Sequence, residues 1–411
     1  MDNDIDRRTF VGWTGAVTGA IALAGCMETG GDDEDTGGED NGAEGPNDPD
    51  LPRLPRVEDP PNAVYVPTHR ESMWTIDPIT AGDYTIAPML SMPHSFWILT
   101  GGAGGADEIQ RVDPTESRSV HMMFTLWDAE TGVVLPVNEG ATITVSRDGQ
   151  RVGQPTSPWP MLSQGMGFHF GDNVPLEADG TYTVEVDLPP LSVRTTGDLT
   201  GRFTEGATAT FEFEYDDDLR NAVVDGIEYF DEEYWGQRGA IEPMGHGGGD
   251  DAADDGNAEI PYSTLPPADA YPGTALEPVD ESATDEDGRP RSDDAVFVAT
   301  LLESGSRLVD GDERYLLVSP RTPYNRVPLA DMALNATVAR SGERVADAPL
   351  EQTVDGEFAL HYGASLADVR PGDSVTITVE SPPQVARHQG YETAFLEIPS
   401  VELTVPGGGE Q

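Results

Sequence analysis

The sequence predicts an all-β protein made of two antiparallel β-sandwich domains. Residues 141–145, 181–186 and 207–215 alternate polar with apolar side chains and are rich in β-branched and aromatic types, as are residues 375–379 in the second half. Glycine, proline and aspartate separate these segments at the short intervals typical of an antiparallel sandwich. The same landmarks also occur twice along the chain, which indicates a duplicated domain.

Four landmarks define the repeat, and they keep their order and nearly their spacing. In the first half they are Leu135-Pro-Val137, an Arg-x-Gly-x-Arg-Val turn at 147–152, His169-Phe-Gly171 and Pro189-Pro190. Their counterparts are Val327-Pro-Leu329, the turn at 340–345, His361-Tyr-Gly363 and Pro382-Pro383. We therefore expect one sandwich over residues 59–246 and a second over residues 294–405.

One segment departs from the strand pattern. Within residues 216–235, apolar side chains recur every three to four positions, and three aspartates stand at the start, where a helix dipole favours acids. This spacing predicts a helix that closes the first domain.

The first 26 residues have the features of an export signal that ends in a lipid anchor. Arg7 and Arg8 precede an apolar run at 11–24, as in a twin-arginine signal, and the run is short for a membrane-spanning helix. Leu23-Ala-Gly-Cys26 resembles a lipobox, and Cys26 is the chain's single cysteine. We expect residues 1–26 to direct export and Cys26 to carry a lipid that holds the protein on the outer face of the cell membrane.

Acidic residues dominate the composition. The chain has 75 acidic residues against 23 basic ones, all of them arginine, for a net charge of −52. Nucleic acid is thereby excluded as the default partner, because binding phosphates requires clustered basic side chains. Residues 27–58 and 247–293 are predicted to be disordered acidic stretches, a stalk and a linker. Because the folded regions are acidic too, we expect an extreme halophile whose self-repulsion is screened by molar salt; specific cation binding is the rival explanation.

The ordered set of His-aromatic-Gly, a glycine turn, an alternating strand and Pro-Pro resembles the periplasmic iron-transport proteins. The resemblance covers residues 62–215 and, more weakly, 295–405. It implies immunoglobulin-like sandwiches that bind copper or iron, form dimers and serve an iron permease in the membrane.

The resemblance also implies a set of metal ligands. The family uses a His-x-Glu pair, a Met, the His of His-Tyr-Gly and a His after Pro-Pro. In the first domain we match His94, Met161 and His169, with Phe96 where the Glu would stand. In the second domain we match His361 and His388, without the Met or the His-x-Glu pair. Each copy thus retains only part of the family's site.

Residue chemistry gives a separate argument for copper. Four of the seven histidines and seven of the eleven methionines lie between residues 69 and 169. On an extended strand His121 and Met123 point to one face, as do Met92 and His94. Imidazole with soft thioether suits Cu(I). The alternative is that methionine fills core gaps and that each histidine is an ordinary core or loop residue.

These observations predict an extracytoplasmic, membrane-anchored protein that binds copper or iron and delivers it to a membrane transporter. The alternative is a metal-free surface scaffold or interaction module of a halophile. We expect no enzyme, because the sequence contains no Gly-x-Ser-x-Gly, Walker, His-Glu-x-x-His or dinucleotide motif. Asn335-Ala-Thr337 is a glycosylation sequon within a predicted strand.

Replacing Cys26 by Ser should leave export intact and move the protein from the membrane fraction to the medium, because the thiol is the single lipid acceptor. Fractionation of cells that express each form measures this. A variant that stays with the membrane would contradict the lipobox interpretation.

Overall fold

Strands make up nearly all of the regular structure in the computed structural model, which describes residues 52, 54–101, 109–115, 120–137, 140–244, 260–309 and 313–407. The predictions for Arg7, Arg8, Cys26 and the stalk up to residue 50 lie outside these residues. In the described part of the chain, no helix is long and apolar enough to cross a membrane.

The first half of the chain contributes fifteen of the described strands and one α-helix. They are β1 (His69–Arg70), β2 (Trp74–Thr75), β3 (Ile79–Ala81), β4 (Tyr84–Ser91), β5 (Phe96–Leu99), β6 (Ile109–Val112), β7 (Val120–Asp128), β8 (Thr142–Arg147), β9 (Gln150–Thr156), β10 (Trp159–Ser163), β11 (Gly167–Val174), β12 (Gly180–Leu188), β13 (Arg194–Thr196), β14 (Ala207–Tyr215), α1 (Asp217–Asp225) and β15 (Glu228–Tyr229).

The second half contributes the remaining described strands. They are β16 (Thr274–Ala275), β17 (Glu277–Pro278), β18 (Arg291–Ser292), β19 (Ala295–Leu302), β20 (Arg314–Arg321), β21 (Ala333–Arg340), β22 (Glu343–Asp355), β23 (Ala359–Leu366), β24 (Ser374–Ser381), β25 (Ala386–Arg387) and β26 (Val401–Thr404).

The two halves form sandwiches with the same strand order, which confirms the all-β fold and the internal repeat. In the first sandwich, a sheet with the run β4-β7-β11-β10 faces the sheet β14-β12-β8-β9. In the second, the runs are β19-β20-β23-β22 and β26-β24-β21-β22. The 13-residue strand β22 serves both runs, pairing with β21 through its first part and with β23 through its last. It therefore corresponds to β9 and β10 together.

The connection between the last two main strands of each sandwich adds a strand to the other sandwich. From the second sandwich, β25 lies parallel to β10, with Met161 opposite Ala386 and Leu162 opposite Arg387. From the first, β13 lies parallel to β22, with Arg194 opposite Thr353. The two connections are equivalent in the repeat, so the exchange between the sandwiches is reciprocal.

The helix is shorter than the predicted 216–235. Its first turn is capped by the Asp216 carboxylate, which accepts from the Leu219 N–H at 2.9 Å, and Gly226 closes its C-terminus. Beyond it, β15 pairs with β1. Glu228 and Tyr229 take part in strand pairing with β1, so the helix does not continue through them despite the helical spacing of the apolar residues.

The acidic segment 247–293, expected to be a disordered linker, is ordered in its described part. From residue 260 onward it buries Leu265, Tyr271 and Leu276, and β16 and β17 pair with β19 and β26. Three large apolar side chains, spaced five to six residues apart, cover the second sandwich and outweigh the acidic composition around them.

Asp355, at the end of β22, holds the exchanged strand β13 in place. Its buried carboxylate accepts from the Thr196 hydroxyl at 2.6 Å and from both Arg307 Nη atoms at 2.5 and 2.7 Å. The backbone N–H groups of Glu357 and Phe358 donate to it at 2.8 and 2.9 Å.

Replacing Asp355 by Asn should lower the free energy of unfolding by about 2 kcal/mol, because a buried carboxylate loses its charge-assisted hydrogen bonds and several donors are left facing an amide. Denaturant titration measures this. The control is Glu357→Gln, since Glu357 pairs with the same Arg307 at 3.2 Å but is exposed, and its loss should cost under about 1 kcal/mol. Equal losses in the two variants would contradict the role assigned to Asp355.

Candidate metal centre

The candidate ligands lie on the outer face of the large sheet of the first sandwich, opposite the core. Along β7, Met122, Phe124 and Leu126 point into the core between the sheets. The alternate residues His121 and Met123 therefore point outward. Both side chains are nevertheless buried, so other segments of the chain cover this face of the sheet.

Gly171 shows where the outward side chains converge. A Cβ atom at this position would lie 2.8 Å from His121 Nε2, 3.2 Å from Met161 Sδ and 3.2 Å from Met123 Cγ. The glycine of His169-Phe-Gly171 thus keeps clear a space that an imidazole nitrogen and a thioether sulfur share. His169 lies beside this space, directly opposite Met161 in the β10–β11 pair.

Asn173 fixes the orientation of the His121 imidazole and holds the backbone of His94. Its Nδ2 donates to the His94 carbonyl at 3.0 Å, so its Oδ1 accepts from His121 Nδ1, also at 3.0 Å. His94 Nδ1 donates to the Met92 carbonyl at 3.0 Å. Both imidazoles therefore present a bare Nε2, and neither Nε2 has a hydrogen-bond partner among the described residues. Their ring centroids are 4.1 Å apart.

His388, just after the exchanged strand β25, completes the group from the second sandwich. Its backbone N–H donates to the Leu162 carbonyl at 3.0 Å, and its Nε2 lies 3.2 Å from His169 Nε2. His169 Nδ1 in turn faces the Gly167 carbonyl at 3.2 Å. One ring nitrogen from each of His94, His121 and His388 lies within 4.8 Å of the others. We call His94, His121, His169, His388 and Met161 the histidine centre.

Glu71 lies behind the imidazole of His388. Its Oε1 is 3.6 Å from His388 Nδ1 and 3.9 Å from His69 Nε2, and the side chain is 26% exposed. All four imidazoles of the centre thus turn Nδ1 toward an oxygen and Nε2 inward. This arrangement of outer hydrogen-bond acceptors is typical of histidines that ligate a metal.

Burial lowers the basicity of three imidazoles of the centre, those of His94, His121 and His169, so these three are neutral at pH 7. The pKa of His94 falls to about 4, chiefly through burial, and the pKa values of His121 and His169 fall well below the usual value for the same reason. At Glu71, burial acts to raise the pKa, but the nearby imidazole of His388 and those of His94 and His69 hold it well below its usual value. Neutral imidazole is the form that binds metals.

The centre can therefore hold a transition metal by nitrogen and sulfur. Four imidazoles and a thioether satisfy the preferences of copper, in particular Cu(I), and no carboxylate lies on the Nε2 side in the contacts described.

Of the residues predicted from sequence, the structure brings together His94, Met161, His169 and His388. His388 joins the first sandwich rather than pairing with His361. Phe96 is buried against Met161 and Ala386, with its ring 6.0 Å from that of His121.

Sequence reasoning left out His121 and Glu71 as ligand or outer-sphere residues. The His121-x-Met123 pair on one strand face was a usable signal, whereas nothing in the sequence around Glu71 indicates that it reaches a histidine more than three hundred residues away.

The equivalent face of the second sandwich carries no such centre in the described residues. Strand register matches Gly171 and Met123 to Gly363 and Leu317, so Tyr315 takes the place of His121. The Tyr315 hydroxyl lies 3.3 Å from His361 Nε2 and fills the space beside Gly363. His361 is thus an ordinary buried histidine, bonded on its other side to the Ala359 carbonyl at 3.2 Å.

Stability should fall as the pH drops from about 6.5 to 4, because burial lowers the pKa of His361 to about 4. In this pH range His361 binds a proton in the unfolded chain but not in the folded one. Replacing His361 by Gln should reduce the stability difference between pH 7 and pH 4.5 by about 2 to 3 kcal/mol. Urea titrations of the metal-free proteins at both pH values measure this, and an unchanged difference would contradict the assignment.

Comparisons with known proteins match part of the chain to a sequence family and part of it to solved structures. Residues 269–404 match a family described as a domain of unknown function, DUF7350. No curated protein matches the chain. Among solved structures, a copper-bound variant of FetP from uropathogenic Escherichia coli strain F11 is 18% identical, with a TM-score of 0.27, over 35% of this chain and 92% of that one. FetP from the same strain as isolated is 20% identical, with a TM-score of 0.26, over 35% and 95%. The family match falls on the second sandwich and the segment that precedes it.

Proposed function

We propose that this protein binds a copper ion, as Cu(I), at the histidine centre. The observation that carries the proposal is the common orientation of four buried imidazoles. Each has its Nδ1 turned to an oxygen, and the Nε2 atoms of His94 and His121 have no hydrogen-bond partner in the described structure. Leaving buried polar atoms unpaired is costly, and a metal ion would remove that cost.

The donor set favours copper over iron. The atoms that face the common space are imidazole nitrogens and the sulfur of Met161, whereas Fe(II) prefers harder oxygen donors. Glu71 is the nearest carboxylate to His388, and it faces Nδ1 rather than Nε2. It would orient His388 and offset part of the charge of the ion.

The sequence supports a place for this activity outside the cell. We propose that a lipid on Cys26 anchors the protein to the outer face of the membrane, that its acidity reflects a saline environment, and that it delivers copper to a membrane transporter. A FetP structure also contains copper, as its description states.

The proposal is tested by measuring the tightest-bound Cu(I) of the purified protein, by competition with a Cu(I) chelator in high salt. His388→Ala and His169→Ala should each weaken this binding at least tenfold, or about 1.4 kcal/mol, because each removes a ligand. The matched control is His361→Ala, which removes a buried histidine from the equivalent position of the other sandwich and should leave the affinity unchanged.

Equal, weak binding by wild type and all three variants would mean that the histidine centre does not hold the copper. The metal-free scaffold would then replace this proposal. A melting curve of each variant shows whether the fold is retained.

A further inference from the structure

A second group of soft side chains adjoins the histidine centre. Met89, Met123 and Met166 are buried together, and Met73 and Met244 pack against them while partly exposed. We call these five residues the methionine cluster. It is separate from the apolar core between the sheets of the first sandwich.

Backbone pairing fixes the members of the cluster relative to the histidine centre. Met89 lies directly opposite Met123 in the β4–β7 pair, and Met123 reaches the space beside Gly171 that His121 also borders. Met166 lies in the turn between β10 and β11, where its N–H donates to the Ser163 hydroxyl at 3.0 Å. The methionine cluster therefore adjoins the histidine centre through Met123.

Its outer members lead toward solvent. The Met244 N–H donates to the Gly165 carbonyl at 2.9 Å, and a Cβ atom on Gly165 would lie 2.8 Å from Met244 Cε. The missing side chain lets the thioether lie against this turn. Met73, which also packs against the cluster, follows Glu71 by two residues.

The second sandwich shows that this face packs without methionine. Strand register matches Met89 and Met123 to Thr300 and Leu317. The apolar cluster there consists of aliphatic and aromatic residues: Tyr271, Val298, Leu302, Leu308, Tyr315, Leu317 and Phe358. The same fold thus needs no sulfur for packing, and five thioethers occur only beside the face that carries the imidazoles.

We propose that the methionine cluster is a second Cu(I) site, made of thioethers alone, through which reduced copper enters the histidine centre. Thioethers are neutral ligands that favour Cu(I) and bind oxygen-preferring cations poorly. The second site stands on its own geometry, while its role as an entrance rests on the proposed function of the histidine centre.

The test of the site counts Cu(I) per chain and identifies its ligands by X-ray absorption. Wild type should hold two Cu(I), and Met89→Leu/Met166→Leu should hold one, because leucine keeps the volume and removes two sulfurs. His169→Ala/His388→Ala should retain one Cu(I) surrounded by sulfur only, whatever happens at the histidine centre. Met332→Leu is the matched control, since Met332 is a buried methionine in the second sandwich, and this variant should hold two.

Two results would overturn the second site: two Cu(I) retained by the methionine double variant, or no sulfur-only Cu(I) in the histidine double variant. The role as an entrance has its own measurement. Loading of the histidine centre from a Cu(I) chelator should be at least fivefold slower in the methionine double variant, with its affinity unchanged. Equal loading rates would exclude that role and leave a storage site.

Discussion

The parallel pairing of β10 with β25 is the contact on which the histidine centre depends. It places a segment of the second sandwich inside the large sheet of the first, between β10 and β5. The pairing sets Ala386 beside Met161, and the next residue but one is His388. Other contacts hold the same junction: Tyr65 hydrogen-bonds Glu392, and Gln164 Nε2 donates to the Tyr65 carbonyl at 2.8 Å. The candidate ligands are thus brought together by the junction rather than by either sandwich alone.

Duplication followed by divergence accounts for the asymmetry of the two faces. The strand order and the reciprocal exchange are the same, yet one face carries imidazoles and thioethers and the other is filled by Tyr315 and leucines. Thr196, the last residue of β13, occupies the position that corresponds to His388, and there its hydroxyl donates to the buried carboxylate of Asp355. The exchanged strand β25 leads to the candidate ligand His388, whereas the exchanged strand β13 is held to the second sandwich by the bond from Thr196 to Asp355.

The strands and the repeat could be predicted because they leave local signals: alternation, turn residues and recurring landmarks. Met161 and His169 could be predicted because they lie eight residues apart on the two strands of one hairpin. His388 was assigned to the wrong sandwich, since sequence order places it there and a two-residue parallel strand has no periodicity to reveal its partner. The ordered part of the linker was missed for a related reason: three apolar side chains among many acids carry little weight in composition but bury a large area.

The distance along the chain between the ligands has a consequence for biosynthesis. The contact between His169 and His388 joins residues 219 positions apart, so it closes a very long loop and forms late. A growing polypeptide carries the other imidazoles well before the ribosome reaches the fourth. Under the proposed function, an incomplete or half-assembled copy would lack His388 and would release the copper ion, so only a finished chain would retain it.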